Sequence, residues 1–412
     1  MKERPTVHII GGGLAGLSAA LEVCRNNARP IVYEATSQPG GRCRSFNDSA
    51  LGQDVDCGTH LVLSANQAVR TLITQCNAQD QWIQYPAHFD FFDIASKRAW
   101  CLQPNRGRVP WWLCHPGRRI AGASFIDHIK LFQLMKSNLN PEQMEHCIGH
   151  PIYKHLVQPL ALAVTNTPVP IVSWNPLRDV LRKTFFRGGQ AMEPLVPRTG
   201  YTRDLILPLI HTIEAQGGRF CLKSPVKQVF LSGPIMTGFQ VRGRTLMVQA
   251  SDKVIVAVPA RAAHRLLPNI PALPMSPIIT AHFRIREHCD HQLVGVIGGL
   301  CDWMQTRDSL VSANIGASQM LLSISAERLL SLLWEEVKAV LGLVGHVPPA
   351  RLIKERAATL MLTQETDRLR PPAQTCWNNV WLAGDWTATG LPCTLEGAAA
   401  SGIAAAQAAL LR

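Results

Sequence analysis

The chain has 412 residues, 47% apolar and 17% charged, which suggests two domains and excludes wholesale disorder. Lys and Arg number 41 against 29 Asp and Glu, a formal charge of +12. No run of five basic residues occurs, so no nucleic-acid arm is expected, and the excess suits an anionic cofactor or membrane surface.

Twelve cysteines are scattered, none closer than Cys289 and Cys301. Without a C-x-x-C pair, zinc and iron–sulfur sites lack their spacing, and no metal is expected. The thiols read as reduced core residues of a cytoplasmic protein. No apolar stretch reaches membrane-span length; Leu293–Leu300 is far too short. Near the N-terminus, Lys2 and Arg4 precede an apolar stretch from Val7 to Val23 that resembles a signal peptide. His8 and Glu22 interrupt it, and Cys24-Arg25-Asn26-Asn27 offers no cleavage site.

A βαβ unit explains this stretch better. Thr6–Ile10 is β-branched and reads as a buried parallel strand. Gly11, Gly13 and Gly16 then occupy the G-x-G-x-x-G positions, and Leu17–Cys24 reads as a helix. A second strand, Pro30–Tyr33, ends at Glu34. Gly11 permits the tight turn, Gly13 lets backbone approach a pyrophosphate, and Gly16 lets helix and strand pack. The helix start offers free N–H groups and a positive dipole end. Glu34 can accept hydrogen bonds from ribose hydroxyls. With strand, helix and acid in register, the pattern predicts a dinucleotide site.

Next come Gly40-Gly41-Arg42 and Asp56-Cys57-Gly58-Thr59-His60. Further on, Thr202–Ala215 reads as an amphipathic helix stopped by Gly217-Gly218. Arg219–Leu222 and Val226–Val229 follow as strands, then a hairpin around Gly243. Lys253–Val258 is an apolar strand, followed by a helix from Ala260 to Leu267. Ser325–Leu343 shows an apolar helical stripe at Leu329, Leu330, Leu333, Val337, Val340 and Leu341. Val380–Ala383 is a last strand before Gly384-Asp385-Trp386, and the small residues Ala399–Leu410 read as a closing helix. Asp385 can accept hydrogen bonds there, or simply cap a helix.

Glu34 followed by Gly40-Gly41-Arg42, together with the strand–Gly384-Asp385 element, resembles the flavoprotein superfamily of amine oxidases, phytoene desaturases and protoporphyrinogen oxidases. Four stretches resemble one branch, the hydroxysqualene dehydroxylases: Gly384-Asp385-Trp386-Thr387 through Gly390-Leu391-Pro392 to Glu396-Gly397-Ala398, Pro159-Leu160 through Asn166-Thr167-Pro168, Asp56-x-Gly58-x-His60-Leu61, and the helix-forming Asp204-Leu205-Ile206-x-Pro208. The resemblance implies an α/β fold: a discontinuous Rossmann-like FAD-binding domain (1–61, 199–267 and 373–412) with an inserted α+β substrate domain (62–198 and 268–372). It places Gly11, Gly13, Leu14, Ala15, Gly16, Glu34, Ala35, Gly40, Gly41, Arg42, His60, Val226, Gly384, Asp385, Thr394, Leu395 and Glu396 at an FAD cofactor. Ala399-Ala400 departs from the larger or charged residues expected there.

The implied reaction replaces the hydroxyl of hydroxysqualene, a C30 allylic alcohol, with a hydride from reduced FAD. Loss of hydroxide calls for a general acid. His60 is the first choice, with Asp56 and Glu396 as others; a core histidine bonded to backbone is the alternative for His60. No second G-x-G-x-x-G segment exists, so the reductant of FAD is unidentified. Rival functions are a carotenoid-type desaturase, an amine oxidase and a prenyl-lipid chaperone of the same fold. Trp111-Trp112-Leu113, beside Arg106, Arg108, Arg118 and Arg119, suits peripheral contact with an anionic membrane at the inner face of the cytoplasmic membrane, and equally a core Trp pair beside solvated arginines.

Overall fold

The computed structural model describes residues 4–134 and 150–411. Lys2 and the 135–149 part of the first insert lie outside the described residues, as does the final residue.

Five parallel strands form the central sheet, in the order Arg219–Cys221, Arg29–Tyr33, Thr6–Ile10, Lys253–Val256, Val380–Leu382. Ile10 sits opposite Tyr33 on one side and Val256 on the other, so the C-terminal strand ends line up along one edge. Residues more than 240 positions apart in sequence, such as Val7 and Lys253, are thus direct neighbours.

Side chains alternate between two cores, as the pleat requires. Val7, Ile9, Val32 and Ile255 face the helices Leu14–Arg25 and Leu395–Leu410. Ile10, Tyr33, Val254 and Val256 face a three-stranded meander, Val226–Ser232, Ile235–Val241 and Arg244–Met247, through Met236 and Phe239. The two helices touch backbone to backbone. A Cβ at Gly402 would collide with the Ala15 carbonyl oxygen, and Ala399, Ala405, Ala406 and Ala409 are fully buried. The small residues of the last helix therefore serve close packing.

Both helices begin earlier than expected, at Leu14 and Leu395 rather than Leu17 and Ala399. The second is capped by Thr394, whose hydroxyl accepts from the Gly397 N–H. Thr202–Ala215 is also not uniform: Thr202–Ile206 forms a wider π-turn before the α-helix Leu207–Ala215. Pro208 has no N–H to give the Asp204 carbonyl, and the Trp82 indole donates to it instead at 3.0 Å.

The rest of the chain builds a curled antiparallel sheet and a helical layer. Met275–Ile297 pairs with Trp303–Ile315 on one side and with Ala350–Leu360 on the other. Its far end extends to Phe89–Asp93 and Arg98–Leu102. Register shifts between Arg284 and Gln292 bend the long hairpin. The bend is sharp enough that the Asp302 N–H donates to the Asn314 carbonyl at 2.9 Å. Helix Ala326–Leu341 packs Leu329, Leu333, Trp334 and Val337 on this sheet, with Ser325 as N-cap and Gly342 at φ +68° as C-cap. Helices Gln158–Thr165 and Trp174–Lys183 close a separate core with Trp112 and Ile120.

Candidate functional site

A cavity of about 1050 Å³ opens along the C-terminal ends of the parallel strands, where open α/β sheets place their ligands. It runs on between the helical layer and the curled sheet. Its size exceeds the roughly 300–1,000 Å³ of ordinary single-ligand pockets.

The glycines shape its floor. Gly11 turns the chain at φ +109°, where a Cβ would lie 2.5 Å from the Ala257 carbonyl oxygen. Gly13 faces open space, with nothing within 4 Å of a Cβ position. Gly16 does not line the cavity; a Cβ there would collide with the Gly11 carbonyl, so it serves helix–strand packing. Helix Leu14–Arg25 has no acidic residue in its first turn and no side-chain cap. Its leading N–H groups are left for an anion.

Glu34 is 8% exposed and hangs over this turn. One carboxylate oxygen accepts from the Gly12 N–H at 2.9 Å, the other from the Thr36 N–H and hydroxyl at 2.8 Å. Arg42 bridges three parts of the chain. Its Nη2 pairs with Asp385 Oδ1 at 2.7 Å and its Nη1 donates to the Ala358 carbonyl. Gly384, at φ +149°, is crowded by the Trp386 indole, which donates to the Val258 carbonyl at 2.9 Å. Gly40, Gly41, Ala35, Val226, Thr394 and Leu395 also line the cavity.

The three acid candidates lie in different settings. His60 lines the cavity, and its Nε2 lies 3.3 Å from the Arg42 carbonyl. A carbonyl only accepts, so Nε2 carries the hydrogen. Burial lowers the pKa of this ring, the Arg42 bond opposing, so the ring is neutral near pH 7 with its one hydrogen committed. That arrangement suits holding the Arg42 loop, not handing a proton to a substrate. Asp56 does not line the cavity at all. It accepts from the Ser45 hydroxyl at 2.6 Å and the Tyr201 N–H at 3.1 Å, and faces Arg307 at 3.4 Å. Its role is to tie the hairpin Ser45–Asp56 to Tyr201 and the curled sheet, which corrects its candidacy as acid.

Glu396 lines the cavity but accepts from the Ala68 and Val69 N–H groups at 2.9 and 3.1 Å. It caps helix Gln67–Gln75 and clamps it to the closing helix. Burial pushes its pKa up while those amides hold it back. The far wall holds polar residues that carry no sequence signal: Asp302, Asn314 and Thr280. Thr280 and Asn314 sit in strands without a motif and Asp302 just before one, and only the curl of the hairpin gathers them.

Open space at Gly13, unused helix amides, an acid at the end of the second strand and an arginine–aspartate pair across from it fit a dinucleotide with a pyrophosphate bridge.

Comparison with known proteins agrees. The family model for flavin containing amine oxidoreductases matches residues 165–410, and that for NAD(P)-binding Rossmann-like domains matches residues 9–76. A hydroxysqualene dehydroxylase from Sinorhizobium fredii is 36% identical over 98% of both chains. Another from Zymomonas mobilis is 31% identical, again over 98% of both. Among solved structures, an oxidoreductase from Methanosarcina mazei superposes with a TM-score of 0.77 at 13% identity, covering 98% of this chain and 100% of that one.

Proposed function

The chain belongs to the hydroxysqualene dehydroxylases, within the flavin-containing amine oxidoreductase family, and from that premise we propose that it converts hydroxysqualene to squalene. One observation carries the reading: a single cavity joins the cradle at Gly11–Ala15 to a chamber walled by Phe91, Leu160, Leu293 and Ile353. A cofactor and a long apolar substrate can therefore meet inside one enclosure.

When bound, reduced FAD supplies a hydride. The chain does the rest. The first-helix amides and Arg42 would hold the pyrophosphate, Glu34 would accept from the ribose, and Asp385 would accept from the ribityl chain. The apolar walls keep water away from the electron-deficient carbon that an allylic alcohol leaves when its C–O bond breaks.

The test is anaerobic incubation of the holoenzyme with chemically reduced FAD and hydroxysqualene, followed by mass spectrometry. Squalene should form in step with flavin oxidation. Formation of none, with desaturation of phytoene under an added oxidant, would replace this reading by the desaturase one.

We also propose that the segment around Trp111 touches a membrane surface. The two tryptophans of the basic segment part company: Trp112 is buried, while Trp111 is 67% exposed. Val109, Phe125, Ile126 and Ile129 are exposed beside it in sequence, and Arg106 and Arg108 are exposed too. Apolar anchors with basic neighbours match an interfacial segment. Among the described residues no helix is long and apolar enough to cross a membrane. Co-sedimentation with phosphatidylglycerol vesicles should fall about tenfold in Trp111→Ser/Ile126→Ser, a change of about 1.4 kcal/mol, and should weaken with salt. Equal sedimentation of variant and parent would remove the membrane contact.

A further inference from the structure

The dehydroxylase reading demands a proton donor, and the three candidates named from sequence are each held by other groups: His60 by the Arg42 carbonyl, Asp56 by Ser45 and Tyr201, and Glu396 by the Ala68 and Val69 amides. The curled hairpin offers another. Asp302 and Asn314 are joined across the curl by the Asp302 N–H and the Asn314 carbonyl, and both line the cavity. Asp302 Oδ2 accepts from the Gly316 N–H, and its Oδ1 has no hydrogen-bond partner among the described residues. Asn314 is 3% exposed. Its Oδ1 accepts from the Thr280 hydroxyl at 2.9 Å, and its Nδ2 is a buried donor without a partner. A buried orphan donor is costly, about 1–3 kcal/mol, so it points to a missing acceptor.

This polar island is tied to the cofactor loop. A Cβ at Gly316 would lie 3.2 Å from Asp302 Oδ2 and 3.0 Å from Asn166 Oδ1. Asn166 Nδ2 donates to the Thr359 hydroxyl at 3.0 Å, and the neighbouring Ala358 carbonyl is the one Arg42 holds.

Resting on the dehydroxylase reading, we propose that Asp302 is the general acid of the reaction and that Asn314 seats the departing hydroxyl. The carboxyl gives its proton to the substrate oxygen. The C–O bond breaks with its electron pair on oxygen, which leaves as water. The carbon gains the hydride, so substrate is reduced by two electrons as the reduced flavin is oxidised by two. Water at the cavity mouth reprotonates the carboxylate.

The surroundings keep that proton available. Burial raises the Asp302 pKa to about 7, the Gly316 amide opposes, and the charge of Glu336 adds to the rise. The groups facing it are Glu336 of helix Ala326–Leu341, whose carboxylate accepts from the Leu300 and Cys301 N–H groups, and the buried Cys301 thiol. An acid with a pKa near working pH is well matched to proton transfer.

The test uses holoenzyme with reduced FAD and hydroxysqualene, comparing the parent chain with Asp302→Asn, Asp302→Glu and Asn314→Ala. Asp302→Asn should still bind FAD, by its absorbance, and should form squalene about 100-fold or more slowly. Asp302→Glu should recover part of that rate. The parent's kcat should fall above a pH of about 7, and Asp302→Asn should lose that alkaline limb. Asn314→Ala should raise KM. Infrared difference spectra should show a protonated carboxyl band at pH 6 in the parent that Asp302→Asn lacks.

Turnover of Asp302→Asn within a few-fold of the parent, or absence of that band, overturns the proposal. If the parent itself makes no squalene, the dehydroxylase reading fails, and the infrared band still decides the protonation state. If Asp302→Asn does not fold, the parent's band and the Asp302→Glu pH profile decide instead. A profile identical to the parent's overturns it.

Discussion

Gly13→Val should leave a folded chain that no longer keeps its flavin, while Gly16→Ala should lower the melting temperature of the chain. Gly13 has φ −72°, an angle any residue adopts, and nothing stands within 4 Å of its Cβ position. A Cβ there meets no protein atom, and the methyls of valine extend into the space that faces the helix amides. FAD affinity should fall about 100-fold, equivalent to about 2.7 kcal/mol, with the apoprotein melting temperature unchanged within a degree or two. Gly16 is the opposite case. Its Cβ would collide with the Gly11 carbonyl, backbone against backbone, and neither side can yield. Overpacking of this kind costs at least about 1–3 kcal/mol, against a total stability of about 5–15 kcal/mol. Flavin absorbance and thermal melting measure both. Retention of FAD by Gly13→Val, or a normal melt for Gly16→Ala, would show that this turn is not the cradle.

The second large effect concerns Arg42 and Asp385. Asp385 is buried and Arg42 about a third exposed. Arg42→Ala leaves a buried carboxylate without its partner. Breaking a fully buried pair costs about 3–5 kcal/mol, and partial exposure of the arginine reduces this to about 1–3 kcal/mol. Asp385→Ala should cost less, because the freed guanidinium reaches solvent. The double variant should be more stable than the sum of the singles by about 1–2 kcal/mol. All three should bind FAD at least tenfold more weakly. Additive melting shifts would mean that the pair does not act as a unit.

The dinucleotide half was legible because each of its residues answers a local demand. Gly11 answers a positive φ, Glu34 the end of a strand, and Asp385 a loop after a strand. Such demands repeat wherever the site is built, so they can be read from spacing alone. The helix starts at Leu14 and Leu395 were missed by a few residues, although Thr394 is a cap of the usual kind. The substrate half resisted for two reasons. Met275–Ile297 is one long strand, but Arg284, Arg286, Glu287 and His288 are exposed at its bend and mask its alternation. Asp302 and Asn314 meet only because two register shifts curl the hairpin, and a curl has no pattern in the chain. His60 shows how spacing alone leaves a role open. A histidine beside a cofactor motif looks catalytic until its hydrogen is found bonded to the Arg42 carbonyl.

The order of the central sheet sets the order of birth. The strand Thr6–Ile10 leaves the ribosome first, yet its partner Lys253–Val256 is hundreds of residues away, and Val380–Leu382 must dock beyond that. The seam between Ala15 and Gly402 closes last of all. The nascent N-terminal segment therefore waits, unpaired on one edge, until Lys253–Val256 has been made, more than half-way through the chain. A flavin can be captured only after synthesis is almost complete, and in that interval the exposed edge is open to chaperones or to a neighbouring chain.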